Sequence, residues 1–283
     1  MTNALIADRD RFAAAHPERR LRFGDRDWGY VDIGAGPVLL LIPGTLGRCD
    51  IFWQQIEALS GRVRVISTSY PASGGVADWA GDIVRLLDHL DIARATVLGS
   101  SLGGYLAQYI AGAAPERVDR LIAANTLASA RGLDQRPPYS LDLETAPIAD
   151  LRGGFGGGLE AWRGAHPEQG DLVDLLLMEV GGRIPEAELR SRLSALKTAP
   201  DLPAPEIPRE KIFTVEAEDD PLIPGPMREA VRARLTPFVS YRFLTGGHFP
   251  YVARPDSYTA MLEQIMELDV TGPDWGQTTE RAL

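Results

Sequence analysis

Short, continuously apolar runs alternate along this chain with stretches in which apolar side chains recur every three or four positions. The run VLLLI at 38–42 has no polar member, as expected of a strand covered on both faces by helices. Further strand-like segments lie at 62–68, 95–99, 120–124, 212–215 and 239–244. Between them, Ile83, Leu86, Leu87 and Leu90 fall at i, i+3, i+4 and i+7, one face of a helix. Leu102, Leu106, Tyr109 and Ile110 repeat that spacing, and Tyr258, Met261, Leu262, Ile265 and Met266 do so near the C-terminus. Strand alternating with helix predicts an α/β fold with a mainly parallel central sheet. A short helix at 4–15 and a hairpin turning on GDRD at 24–27 precede it.

The alternation breaks between 127 and 208. Several prolines occur there, with helical patterns at 172–180 and 186–197 and the run GGFGGG at 153–158. The expected organisation is a core of 1–126 and 209–283, with 127–208 inserted as a helical cap over the carboxyl ends of the strands, where open α/β sheets bind ligands. GGFGGG reads as a flexible hinge of that cap, and 271–283 as a loose tail.

Composition narrows the classes. The 283 residues, 45% hydrophobic and 24% charged, are ordinary globular material. A net charge of −10 argues against nucleic acid or an anionic membrane surface as a partner. Cys49 is the only cysteine, which excludes an intrachain disulfide, and the four histidines lack HExxH-type spacing. No metal and no other cofactor is expected. The first dozen residues lack a basic segment followed by an apolar one, and no apolar run approaches a membrane span. A cytoplasmic location is therefore expected, with a small molecule as the partner.

The chemistry centres on Gly99-Ser100-Ser101-Leu102-Gly103, a G-x-S-x-G between a buried strand and a helix. That is the setting of a nucleophile elbow, where small neighbours accommodate a strained serine and the helix N-terminus stabilises negative charge. Ser101 is the candidate nucleophile. A serine needs a base, and His248 follows the last strong strand in the loop TGGHFP. The acid should follow the preceding strand, in EAEDDPLIP; Asp220, directly before Pro221, is preferred to Asp219. His16, His89 and His166 read as loop or solvated residues. The oxyanion donors are expected to be the backbone N–H groups of Leu102 and of Thr45, in the loop PGTLG after the first apolar run. A phosphate-binding loop is rejected there because no GK[ST] follows. Phe249 and Trp162 are candidate substrate contacts, with Phe155 and residues 175–178 as further apolar lining.

The order of these motifs resembles the α/β-hydrolase fold superfamily over nearly the whole chain. Within it, the segments RVISTSYP, LLDHLDIARATVLGSSLGGYLAQYIA and LTGGHFPYVARP look like maspardin and its relatives. The maspardin pattern carries asparagine where this chain has His248, so the likeness implies shared fold and ancestry rather than a shared lack of activity. Pro43 stands where many hydrolases of this fold have histidine, and 70–75 replaces a common D-x-R-G-x-G-x-S loop. The expected function is a serine hydrolase cleaving a carboxylic ester, thioester or lactone through an acyl-enzyme. The alternatives are a carbon–carbon bond hydrolase of a β-diketone or ring-cleavage product, a silent binding protein, and cofactor-independent oxygenase or lyase chemistry.

Overall fold

Each of the apolar runs becomes a strand, and the strands carry their loops to a common edge. The computed structural model describes residues 3–283. Helix α1 (Ala4–Ala15) precedes the hairpin β1 (Arg19–Phe23) and β2 (Arg26–Ile33), followed by β3 (Val38–Ile42) and α2 (Trp53–Leu59). Next come β4 (Arg64–Ser69), α3 (Val76–His89), β5 (Ala95–Ser100), α4 (Leu102–Ala113) and β6 (Val118–Ala124). Three helices then follow without a strand: α5 (Ile148–Ala165), α6 (Gly170–Met178) and α7 (Glu186–Lys197). The chain closes with β7 (Ile212–Ala217), α8 (Gly225–Leu235), β8 (Val239–Phe243), α9 (Pro250–Ala253), α10 (Pro255–Ile265) and β9 (Glu280–Ala282).

The strands form one sheet in the order β1-β2-β4-β3-β5-β6-β7-β8-β9. The pairs β1–β2 and β2–β4 are antiparallel, and every other neighbouring pair is parallel. β3 shows why its sequence has no polar member. Leu39 and Leu41 enter one core, Leu40 and Ile42 enter the other, and all four are fully buried. Both sheet faces are covered, so period-two alternation has no role in such a strand.

Strand order reverses at β3: the chain moves to β4 on one side, then crosses to β5 on the other. A crevice opens at such a switch point beyond the carboxyl ends of the strands. The register brings those ends level, with Ile42 opposite Gly99, Ser100 opposite Ala124, Ala124 opposite Val215 and Ala217 opposite Phe243. Loops leaving β3, β5, β6, β7 and β8 therefore meet along one edge.

Two local expectations are overturned. Residues 153–158 are not a hinge but the middle of the 18-residue helix α5. Each glycine costs a helix about 1 kcal/mol relative to alanine. Packing offsets this: buried Leu151, with Phe155 and Leu159 against the same core, forms an i, i+4, i+8 stripe. Nor is 271–283 a loose tail. Trp275 is 4% exposed, sets its edge against Phe243 and Tyr241 at centroid distances of 4.8 and 5.3 Å, and donates from Nε1 to Ser257 O at 2.8 Å. β9 then pairs with β8. Trp275→Ala should lower stability by about 3–5 kcal/mol in urea unfolding; an unchanged midpoint would mean the segment is as loosely held as its sequence suggests.

Candidate active site

β5 ends at Ser100 and α4 begins at Leu102, leaving Ser101 alone in the turn at φ 55° and ψ −118°. A positive φ in a residue with a Cβ costs on the order of 1–3 kcal/mol, so the surroundings must impose it. Ser101 N donates to Ala124 O at 2.9 Å, and Ser101 O accepts from Thr126 Oγ1 at 2.7 Å and from Tyr105 N at 3.0 Å. The flanking glycines are sterically required. A Cβ at Gly99 would stand 1.9 Å from Gly103 O, and one at Gly103 would stand 2.1 Å from Ile42 O.

His248 lies in the loop after β8 and is 6% exposed. Its Nδ1 is 2.8 Å from Asp220 Oδ2, in the loop after β7. Asp220 Oδ1 accepts from the backbone N–H groups of Leu222 at 2.8 Å and Ile223 at 3.1 Å, and Oδ2 also accepts from Asn125 Nδ2 at 2.9 Å. Burial pushes this carboxyl up, but the charge and hydrogen bond of His248, together with the Asn125 and Leu222 donors, outweigh burial and hold it below its ordinary range. An ionised carboxylate only accepts, so it selects the imidazole tautomer with a proton on Nδ1 and leaves Nε2 free to accept.

Asp219 points elsewhere. Its two carboxylate oxygens accept from Gly246 N at 3.0 Å and Gly247 N at 2.8 Å, fastening the backbone of the histidine loop. The adjacent acids thus divide the work: one holds the ring, the other the loop.

Ser101, His248, Thr45, Phe249 and Trp162 line one cavity of about 650 Å³. Among the described residues no hydrogen bond joins Ser101 Oγ to the imidazole; such contacts are often long before substrate is bound. The loop after β3 runs against the serine, since a Cβ at Gly44 would be 3.0 Å from Ser101 Cβ. Leu102 opens α4, and a first-turn amide has no acceptor within its helix. Of the residues expected to donate to the oxyanion, Leu102 follows Ser101 in the chain and Thr45 lines the same cavity. Phe249 sets its ring edge-on to His248 at 5.2 Å. Trp162, on α5, packs so closely over Gly247 that a Cβ there would be 2.7 Å from Cζ2.

Two readings change, and one residue joins the site. His166, read from the sequence as a loop residue of little weight, stacks on Trp162 at 3.9 Å and lines the cavity. Phe155 and Leu176 line it too, whereas Met178 is exposed and Leu175 lies in the core. Asn125 was not singled out, although it follows β6 directly at the edge where loops converge. It adopts φ 42° and donates to Asp220.

The pattern of the alpha/beta hydrolase family matches residues 39–260. The chain belongs to that family. Maspardin of Danio rerio is 26% identical over 257 residues, covering 86% of this chain and 80% of that protein, so the likeness expected from the quoted segments is borne out. Two solved structures share the fold. A hydrolase from Pseudomonas aeruginosa superposes with a TM-score of 0.73 at 22% identity, covering 88% of this chain and 98% of that one. The enol-lactonase from Burkholderia xenovorans gives 0.72 at 18% identity, covering 88% and 100%. Among the described residues, no helix of this chain is long and apolar enough to cross a membrane.

A group held below its unfolded pKa stabilises the fold above that unfolded value and loses its contribution as pH falls through the folded one. Wild-type protein should therefore lose stability on acidification below pH ~4 more steeply than Asp220→Asn. Denaturation midpoints from pH 7 to 3 check this, and parallel curves would contradict it.

Proposed function

We propose that this chain is a serine hydrolase of carboxylic esters, thioesters or lactones. The observation that carries the proposal is the strained Ser101 elbow opening into the same cavity as a buried imidazole already paired to a carboxylate at 2.8 Å. In this reading His248 Nε2 removes the Ser101 proton as Oγ attacks the substrate carbonyl carbon. The tetrahedral oxyanion is held by the N–H groups of Leu102 and Thr45, each worth roughly 3 kcal/mol. The imidazolium, stabilised by Asp220, passes its proton to the leaving group, and the acyl-enzyme forms. Water, deprotonated by the same imidazole, then releases the acid and restores the serine.

Residues 127–208 act in this proposal as a cap that roofs the cavity. Leu159, Leu172 and Leu176 give it an apolar wall, which suits an acyl chain or aromatic ring over a compact polar group. Helix α5 supplies room as well as side chains. Gly154 and Gly158, one turn apart, both face the cavity, and a Cβ at Gly158 would meet nothing within 4 Å. A silent scaffold would have no use for a buried imidazole–carboxylate pair beside a strained serine, and that weighs against the binding-protein alternative.

A fluorophosphonate probe should label the folded wild type, and Ser101→Ala should abolish the label; retention of the label in that variant would assign the nucleophile elsewhere. His248→Ala should lower kcat by roughly 10³-fold or more with folding intact. Among p-nitrophenyl esters of rising chain length, Gly158→Leu should shift preference toward short acyl groups. The same chain-length profile in both proteins would show that the acyl group lies elsewhere.

A further inference from the structure

Resting on the serine-hydrolase reading, we infer that Arg192, on α7, is a positioning residue that aims the Thr45 N–H at the oxyanion. Arg192 is fully buried and does not line the cavity. Its Nη1 donates to Thr45 O at 2.9 Å and to Gly47 O at 2.8 Å, while Nη2 donates to Glu188 Oε2 at 3.0 Å. The guanidinium carbon lies 5.2 Å from the centre of the Tyr70 ring, and the Tyr70 hydroxyl donates to Pro43 O at 2.7 Å.

The consequence follows from peptide geometry. The Thr45 N–H belongs to the planar unit between Gly44 and Thr45, whose carbonyl, Gly44 O, accepts from Gly47 N at 3.1 Å. The unit before it carries Pro43 O, fixed by Tyr70. The unit after it carries Thr45 O, fixed by Arg192. The donor plane is thus held directly and pinned on both flanks, which leaves its N–H one direction. Preorganised donors aimed at developing charge are the efficient form of oxyanion stabilisation.

Burying a guanidinium is costly unless its donors are used. Here two backbone carbonyls and one carboxylate take three donors of the Nη groups, in the forked arrangement that arginine holds rigidly and lysine does not, while the buried Nε has no partner. The rest of the loop is braced from the same direction. Arg48 pairs with Glu188 at 3.3 Å and with Glu18 at 3.1 Å, and Asp50 pairs with Arg183 in the turn between α6 and α7. The 127–208 segment therefore acts on catalysis through the loop behind the oxyanion site as well as through the cavity wall.

The test compares wild type, Arg192→Met, Arg192→Lys and Tyr70→Phe by steady-state kinetics on p-nitrophenyl butyrate and by peptide-resolved hydrogen exchange over 43–50, with circular dichroism to verify folding. Arg192→Met should lower kcat by about 10- to 100-fold, the scale set by misplacing a catalytic group by an ångström, with KM nearly unchanged and faster exchange in the loop. Arg192→Lys should recover part of both. Should Arg192→Met fail to fold, Tyr70→Phe, which removes one hydroxyl, should show the same signature in weaker form. Wild-type kcat in folded Arg192→Met, a loss confined to KM, or unchanged loop exchange would overturn the inference. If wild type were inert toward esters while Arg192→Met still loosened the loop, the hydrolase reading would fall and the bracing role would stand.

Discussion

Ser101 sits in a backbone conformation that its side chain disfavours, and much of the surrounding structure serves to keep it there. Ala124 and Thr126, at and after the end of β6, hold its N–H and C=O, while Gly99 and Gly103 leave the space in which β3, β5 and α4 nearly touch. The strain of about 1–3 kcal/mol is small against the packing that opposes its release. Relaxing the turn would separate β5 from α4, and Val97, Leu98, Leu102 and Leu106 are all completely buried. The elbow is therefore rigid because the core is, and a rigid serine lets the other groups be placed once and stay placed.

Those groups are set by the same edge of the sheet. Parallel strands in register deliver the loops after β3, β6, β7 and β8 beside the serine, and hydrogen bonds fix the last three to one another. Asp219 ties the β7 loop to the backbone of the β8 loop, Asp220 ties it to the imidazole, and Asn125 ties the β6 loop to Asp220. The loop after β3 is held instead by Tyr70 on one side and by α7 on the other. The loops after β5, β6, β7 and β8 thus form one polar network, with the β3 loop braced beside it. A network of this kind can keep charge buried because every member that carries it has a partner.

Much of the fold was legible in the sequence because strands such as β3, buried on both faces, leave an apolar run and helices of fixed spacing follow them. Ser101 and His248 were legible because each stands where a strand hands over to a loop or helix. What escaped has specific causes. Asp220 is picked out by its place before Pro221, but the loop-fastening role of its neighbour Asp219 depends on which way the turn faces, and only coordinates show that. GGFGGG looks like a hinge by propensity, but helix α5 is decided by Leu151, Phe155 and Leu159 packing on the core. Trp275 anchors a polar segment as a single aromatic, too sparse to register as a pattern. Asn125 and Arg192 are one polar residue each, and their importance lies in contacts 95 and 147 positions away along the chain.

The claim on which this account rests is that Ser101 carries the acyl group between the two halves of the reaction. It is tested most directly by rapid acid quench of enzyme turning over an activated ester, followed by intact-mass and peptide mass spectrometry. The account predicts a transient gain of a single acyl group on the peptide containing Ser101, formed before steady state and accumulating when water attack is slowed. Turnover with no acylated protein at any quench time, or acyl mass on another peptide, would contradict it.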